Sequence, residues 1–396
     1  MLDIAPETNE VIDEIRRSVA ALCEKFPGEY WRVQVRERAY PTEFVKALTD
    51  AGFLAVLVPE EYGGSGLPIS AAAAVLEEIH KSGCNGGACH AQMYIMGTVL
   101  RHGSPEQKQK FLPKIASGEL RLQAFGVSEP TSGTDTLSLR TTAVKKGNDR
   151  YVVNGQKIWT SGADKADWIY CLVRTDFDVP KHDGISFILF DINQPGVSVK
   201  PIKLISGLSP FCETFFDDAK ALRKNIIGEV NKGWTVAKRL LQYERTSIGG
   251  GVGGVTAKGS KQPKKTLSHI AVERLGKSEG KLSDLGLRDD ITRHLMDDKS
   301  FALTVHRNTE ESQSTTAPTF SSSMFKLYGT EQNKKKYELL LRIAGTDLLG
   351  WEGDGFEKED IDQTRDWLRS KANSIEGGTT EVQYNIIAKR VLGLPD

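Results

Sequence analysis

Through roughly the first 120 residues, apolar positions recur every three or four residues, the period of an amphipathic helix. Val11, Ile15, Val19, Leu22 and Phe26 share one such face. Pro41 opens a second helix and Gly52 sits just past its end, where proline and glycine serve best. Ser70 to His80 predicts a third helix. Cys89 to Arg101 predicts a fourth, apolar nearly all round and so expected to be buried. Ser104-Pro105-Glu106-Gln107 has the form of a capping box with proline at the first helical position, opening a helix that ends near Gly118.

From Leu122 to about Ile227 turns come often and apolar runs are short. Tyr151-Val152-Val153, then Asn154-Gly155, then Gln156 to Trp159 predicts a hairpin with a type I′ turn. Trp168 to Thr175 and Gly184 to Ile192 are β-branched and aromatic runs, and Pro195-Gly196 turns the chain before the alternating Val197 and Val199. A β domain of about seven or eight strands is expected. Past Gly233 the helical pattern returns over Trp234 to about Ser247, Arg288 to about Glu311, Ser321 to about Ala344, Asp360 to Lys371 and Thr380 to Val391. Gly249 to Gly254 and the basic stretch Gly259 to Lys265 predict a broken helix or mobile loop. Helices, then strands, then helices predict an α+β multidomain protein with regions 1–121, 122–230 and 231–396.

Composition narrows the function. The 396 residues exceed what one hydrophobic core supports. Lys plus Arg and Asp plus Glu both number 52, which argues against a nucleic-acid surface. The five cysteines form no C-x-x-C pair and are expected to be reduced thiols. The seven histidines show no ligand spacing, so no metal is expected. Gly249, Gly251 and Gly254 match G-x-G-x-x-G but follow a helix rather than a strand, which excludes a dinucleotide fold. No apolar run reaches the ~20 residues of a membrane span. Met1 to Glu10, with Asp3, Glu7 and Glu10, is unlike a signal or transit peptide, and a cytoplasmic location is expected, with a mature organelle-matrix protein as the alternative.

The most informative stretch is Gln123 to Thr142, QAFGVSEPTSGTDTLSLRTT. Glu129-Pro130 breaks a strand, and Thr131 to Thr134 makes a tight turn of small residues that exposes N–H groups and hydroxyls. The segment resembles the flavin-binding signature of the acyl-CoA dehydrogenase family. Lys157-Ile158-Trp159-Thr160-Ser161 is similar to that family's next strand motif, and Phe215 to Asp218 with Asn225 to Gly228 and Asn231 to Trp234 to its β-to-helix junction. Ser374 to Pro395 resembles its C-terminal signature, and Gln107 to Glu119 also fits. The resemblance covers nearly the whole chain. It implies an N-terminal helical domain, a middle β-barrel and a C-terminal four-helix bundle.

It also implies FAD as cofactor and acyl-CoA α,β-dehydrogenation as the reaction. A glutamate would take the α-proton, hydride would pass to flavin N5, and an electron-transferring flavoprotein would receive the electrons. Phe125, Val127 and Ser128 would lie along one side of the isoalloxazine, with Trp159 and Ser161 on the other. Thr379 and Glu381 match positions near the pyrophosphate and ribose, and equally the capped N-terminus of a helix. Thr134 matches a serine that seats the CoA arm, Arg245 joins the substrate set, and Gln92, Met93 and Met96 line either the acyl pocket or plain core. Most members carry the base in Y-E-G-T; aligned on Gly378-Thr379 that position is Gly377, with Glu376 one residue early. A subset carries it in L-x-x-E-R, which Leu241-Gln242-Tyr243-Glu244-Arg245 fits, so Glu244 stands ahead of Glu376. The family's R-x-Q-F-G motif is absent between Thr246 and Asp290, which leaves homodimer and homotetramer both open. An oxidase or monooxygenase on the same scaffold, or a degenerate subunit, is the alternative.

Overall fold

The computed structural model describes residues 6–37, 39–90, 92–93, 96–120, 124–238, 240–241, 265–312, 321–353 and 355–395. These fall into two compact units, 6–203 with 209–241 and 204–208 with 265–395. The first begins with α1 (Pro6–Cys23), α2 (Gly28–Arg36), α3 (Thr42–Asp50), α4 (Ile69–Lys81), α5 (Gly87–His90), α6 (Met96–His102) and α7 (Pro105–Ala116). The capping box of α7 is present: Ser104 Oγ accepts from Gln107 N at 3.2 Å and Gln107 Oε1 accepts from Ser104 N at 2.9 Å. Gln107 Nε2 then reaches across to the carbonyls of Lys224 at 2.8 Å and Ile226 at 2.7 Å.

Of Cys89 to Arg101 the described residues are helical, with α5 and α6 on either side of a wider π-type turn at residues 92–93. Helix α2 was not expected; it is only nine residues long and follows directly on α1. It is held by tertiary aromatic packing, with Phe26, Tyr30, Trp31 and Phe44 edge to face at ring separations of 4.8–5.2 Å.

Strands β1 (Ala124–Gly126), β2 (Thr142–Lys146), β3 (Arg150–Ser161), β4 (Trp168–Arg174), β5 (Ile185–Asp191), β6 (Val197–Ile202) and β7 (Phe211–Leu222) form one mixed sheet. Both β1 and β2 run parallel to β4; every other pairing is antiparallel. The expected barrel takes the form of this curled sheet. Phe190 of β5 meets Phe216 of β7 edge to face at 5.3 Å although the two strands do not pair.

The hairpin expected at Asn154-Gly155 is absent. β3 runs straight through these residues and pairs with β7 on both sides of them. Val153 faces Ala219 while Gly155 faces Phe216, so β7 carries one extra residue there. Asp218 sits in that bulge at φ 54°, exchanging hydrogen bonds with Asn154 through Asn154 Nδ2 at 3.0 Å and its own N–H at 2.8 Å. Gly155 takes φ 142°, and a Cβ there would lie 2.7 Å from Thr141 Cα. Asn-Gly chemistry suits a bulge as well as a turn, and only the partner strand decides between them.

The helical region and the sheet share a core. Val58, Val99, Phe111, Leu112 and Ile115 pack with Tyr170, Leu172, Phe187 and Leu189, and with Val236, Ala237 and Leu240. Val236 and Ala237 belong to α8 (233–238), which therefore starts inside the first unit.

The second unit holds α9 (Leu267–Leu275), α10 (Leu285–Ser312), α11 (Ser321–Ala344), α12 (Lys358–Ser370) and α13 (Thr380–Ile386), the last continuing as a π-type turn over Ile387–Val391. Leu267, Ala271, Leu287, Ile291, Leu340 and Ile343 form its core. Gly249 to Gly254 and most of Gly259 to Lys265 lie outside the described residues. Among the described residues no helix is long and apolar enough to cross a membrane, and no acid, histidine or cysteine cluster suits a metal. All five cysteines are free and buried.

Substituting Gly155 by alanine forces a Cβ against the Thr141 backbone. The Gly155→Ala variant is expected to lose about 1–3 kcal/mol of stability, read as a lower denaturation midpoint.

Candidate active site

A second irregularity restores the register lost at the first. Lys157 pairs with Thr214 and Thr160 with Cys212, so here β3 carries the extra residue. Alternation breaks, and Lys157 and Thr160 both point inward, fully buried. Trp159 turns outward with 51% of its surface exposed. Its φ of 61° is left-handed, a conformation that costs a bulky side chain of order 1–2 kcal/mol. The Phe211 ring stands edge-on beside the indole at 6.1 Å. Ser161, also exposed, follows two residues later.

What holds this strand against its neighbour is a buried ion pair. Lys157 Nζ lies 2.8 Å from Glu129 Oε1, with side-chain exposures of 0% and 4%. The same ammonium donates to Val127 O at 3.2 Å, and Ile158 N donates to Ser128 O at 2.9 Å. Glu129 Oε2 accepts from Arg140 N at 2.6 Å and Oε1 from Thr141 N at 2.9 Å. Burial pushes the Glu129 carboxyl up, but the Lys157 charge and these hydrogen bonds outweigh it and hold the group below the usual range. Gly126 leaves room for the lysine stem: a Cβ there would lie 3.0 Å from Lys157 Cγ.

The clamp brings five expected residues together. Phe125, Val127 and Ser128 are half-buried on one side of it, with Phe125 edge-on to Phe187 at 5.7 Å; Trp159 and Ser161 are on the other. Thr134 is exposed in the adjoining turn, which Ser132 Oγ closes by donating to Asp135 O at 2.5 Å. Gln92 and Met93 lie in the packed interior, Gln92 donating to Ile115 O at 3.1 Å. The side chain of Met96 lies outside the described residues.

The second unit carries the C-terminal candidates. Gly377 and Gly378 take φ 66° and 95° and lead into Thr379, whose Oγ1 caps α13 by accepting from Val382 N at 3.3 Å. Glu381 is exposed in the first turn; its own backbone N–H, then the Thr379 hydroxyl, hold its carboxyl low. Glu376 has both oxygens occupied, Oε2 by Arg369 Nη2 at 2.6 Å and Oε1 by Asn373 Nδ2. Gln383 Nε2 donates to Gly377 O at 3.2 Å and Gly378 O at 3.3 Å, fixing the same loop. Glu244 and Arg245 lie outside the described residues.

Three family profiles match in order: Acyl-CoA dehydrogenase, N-terminal domain, over residues 6–119; middle domain, over 124–219; and C-terminal domain, over 231–392. The chain belongs to the acyl-CoA dehydrogenase family. It is 33% identical over 361 residues to acyl-CoA dehydrogenase IpdE1 of Mycolicibacterium smegmatis, covering 88% of this chain and 86% of that one. To an acyl-CoA dehydrogenase of Bacillus subtilis it is 30% identical over 395 residues, covering 96% and 97%. The Tcur3481-Tcur3483 steroid ACAD structure superposes with a TM-score of 0.80 at 28% identity, covering 98% of each chain.

As an acyl-CoA dehydrogenase the protein is an FAD-dependent oxidoreductase acting on acyl-CoA. The residues present fit that cofactor. An outward indole on a strained bulge offers a flat aromatic face, and an exposed serine hydroxyl beside it offers a donor for a ring nitrogen or oxygen. Sequence reading assigned no role to Glu129 or Lys157. The available signal was a lysine at the inward phase of the alternation set by Tyr151 and Val153.

Trp159→Ala is expected to fold nearly as well as the parent, since the indole is half exposed, and to bind FAD about 2- to 10-fold more weakly in apoprotein titration. Acid should act through Glu129. Its folded pKa lies below the unfolded value of about 4.3, so its stabilisation is complete above that pH and is lost as pH falls through the folded value. Melting temperatures measured across that range should drop steeply in the parent, whereas Glu129→Gln should start lower at neutral pH and vary less.

Proposed function

We propose that this enzyme takes the α-proton of an acyl-CoA thioester with Glu244 while hydride leaves the β-carbon, giving the 2-enoyl-CoA. An electron-transferring flavoprotein is the proposed outlet for the electrons. Bound FAD supplies the two-electron acceptor, which no side chain can provide. Phe125, Val127, Ser128, Trp159 and Ser161 are the residues that would hold and orient its ring, with Thr379 and Glu381 toward the pyrophosphate and ribose. An acyl chain seated against the base expels water and raises the carboxyl toward neutrality, which makes proton abstraction favourable at physiological pH. Thr134 and Arg245 are the candidates for seating the CoA arm, and Gln92, Met93 and Met96 for bounding the acyl chain.

The observation that carries the choice of base is the state of Glu376. A base needs a carboxylate free to approach the α-carbon. Glu376 is instead tied to the Arg369 guanidinium at the end of α12 and to the Asn373 amide. Glu244 is the candidate supplied by the L-x-x-E-R pattern. A homodimer or homotetramer is the proposed assembly.

Anaerobic mixing with a panel of acyl-CoAs tests this reading. The panel includes a steroid-derived thioester, because one structural relative is described as a steroid ACAD. The matching substrate should bleach the parent flavin within the turnover time, and air should reoxidise it slowly. Glu244→Gln should slow bleaching at least ~100-fold with FAD still bound, while Glu376→Gln should bleach within about 10-fold of the parent but melt lower. The reverse pattern would move the base to Glu376. Rapid reoxidation by air would make the enzyme an oxidase.

A further inference from the structure

We propose that the buried Glu129–Lys157 ion pair is a positioning device for the cofactor: it fixes the two backbone segments that flank the flavin ring and thereby sets FAD affinity. The proposal rests on the assignment of Phe125, Val127, Ser128, Trp159 and Ser161 to the flavin site, and is independent of which glutamate is the base.

Two ions in a dry interior are an unusual way to join a strand to a loop. An apolar pair of similar volume is commonly as stable or more so, because it needs no desolvation. What the apolar pair lacks is direction. The Lys157 ammonium donates at once to Glu129 Oε1 at 2.8 Å and to Val127 O at 3.2 Å, and the next residue, Ile158, donates its N–H to Ser128 O at 2.9 Å. Three consecutive residues, 127 to 129, are thus each held by the dipeptide 157–158. Ile158 N–H points away from β7, on the side where the carbonyls of Asn154 and Gln156 meet Thr142 and Thr141, and the β3 bulge aims Trp159 outward one residue later. On the other side, the Glu129 carboxylate gathers the N–H groups of Arg140 and Thr141, so the turn carrying Thr134 closes on the same point. Gly126 is the third part of the device, since any larger residue presses on the lysine stem at 3.0 Å.

The test separates positioning from stability. Glu129→Gln or Lys157→Met alone leaves an unpaired buried charge, and both melting temperature and FAD affinity should fall. The double variant Glu129→Gln/Lys157→Met removes both charges. It should recover most of the melting temperature yet bind FAD at least ~10-fold more weakly than the parent, with an altered visible circular-dichroism spectrum of the bound flavin. Parent-like FAD affinity and spectrum in a stably folded double variant would overturn the proposal. Should the double variant fail to fold, Gly126→Ala, which keeps both charges and presses hardest on the lysine stem, with Ile169 and Cys171 next, decides the matter: weaker FAD binding supports the device and parent affinity overturns it. Trp159→Ala, titrated alongside, tells the two layers apart. If it binds FAD as the parent does, the flavin-site assignment itself is wrong; if it binds weakly while the double variant does not, only the positioning role falls.

Discussion

A lysine ammonium and a glutamate carboxylate face each other inside the sheet unit with almost no access to water, and much of the surrounding geometry follows from that contact. The pair must satisfy every remaining donor and acceptor to be tolerated at all. It does so by drawing in the backbone of residues 127, 140 and 141. Those backbone groups cannot then adopt other partners. The loop after β1, the start of β2 and the bulge of β3 are consequently fixed relative to one another by electrostatics rather than by side-chain packing. The outward indole lies next to the same contact, in the bulge between Lys157 and Thr160.

Much of this architecture was legible in the chain. The helix periods of α1, α3, α4 and α7, the capping box at Ser104, and the strand runs of β4 and β5 are local signals, and local signals survive folding. Failures occurred where a distant partner decides the outcome. Asn154-Gly155 has turn chemistry but lies inside a strand, because β7 continues on both sides of it and absorbs the strain in a bulge at Asp218. Helix α2 exists because Trp31 and Tyr30 find Phe26 and Phe44. Lys157 reads as one letter of a motif, and its role emerges only with Glu129 beside it. The motif strings named the residues proposed to face the flavin; the contact that ties those strings together joins residues 28 apart.

In the C-terminal loop Glu376 stands one residue before the place that the resemblance gives to the family's common base, and an arginine and an asparagine take both of its oxygens. The two glycines that follow hold left-handed backbone and deliver Thr379 to the start of α13. The loop keeps a charged residue, a double-glycine turn and a helix cap, and its acid is hydrogen-bonded to Arg369 and Asn373.

The side chain of Gln107 closes its hydrogen bonds on carbonyls 117 and 119 residues further along. Its helix also buries Phe111, Leu112 and Ile115 against strands made much later. A ribosome adding ~5–20 residues each second delivers those partners about 6 to 24 s after the helix emerges. For that interval the nascent helical layer carries an uncovered oily flank, and the chain's yield in the cell depends on whatever shields it while the sheet is still being made.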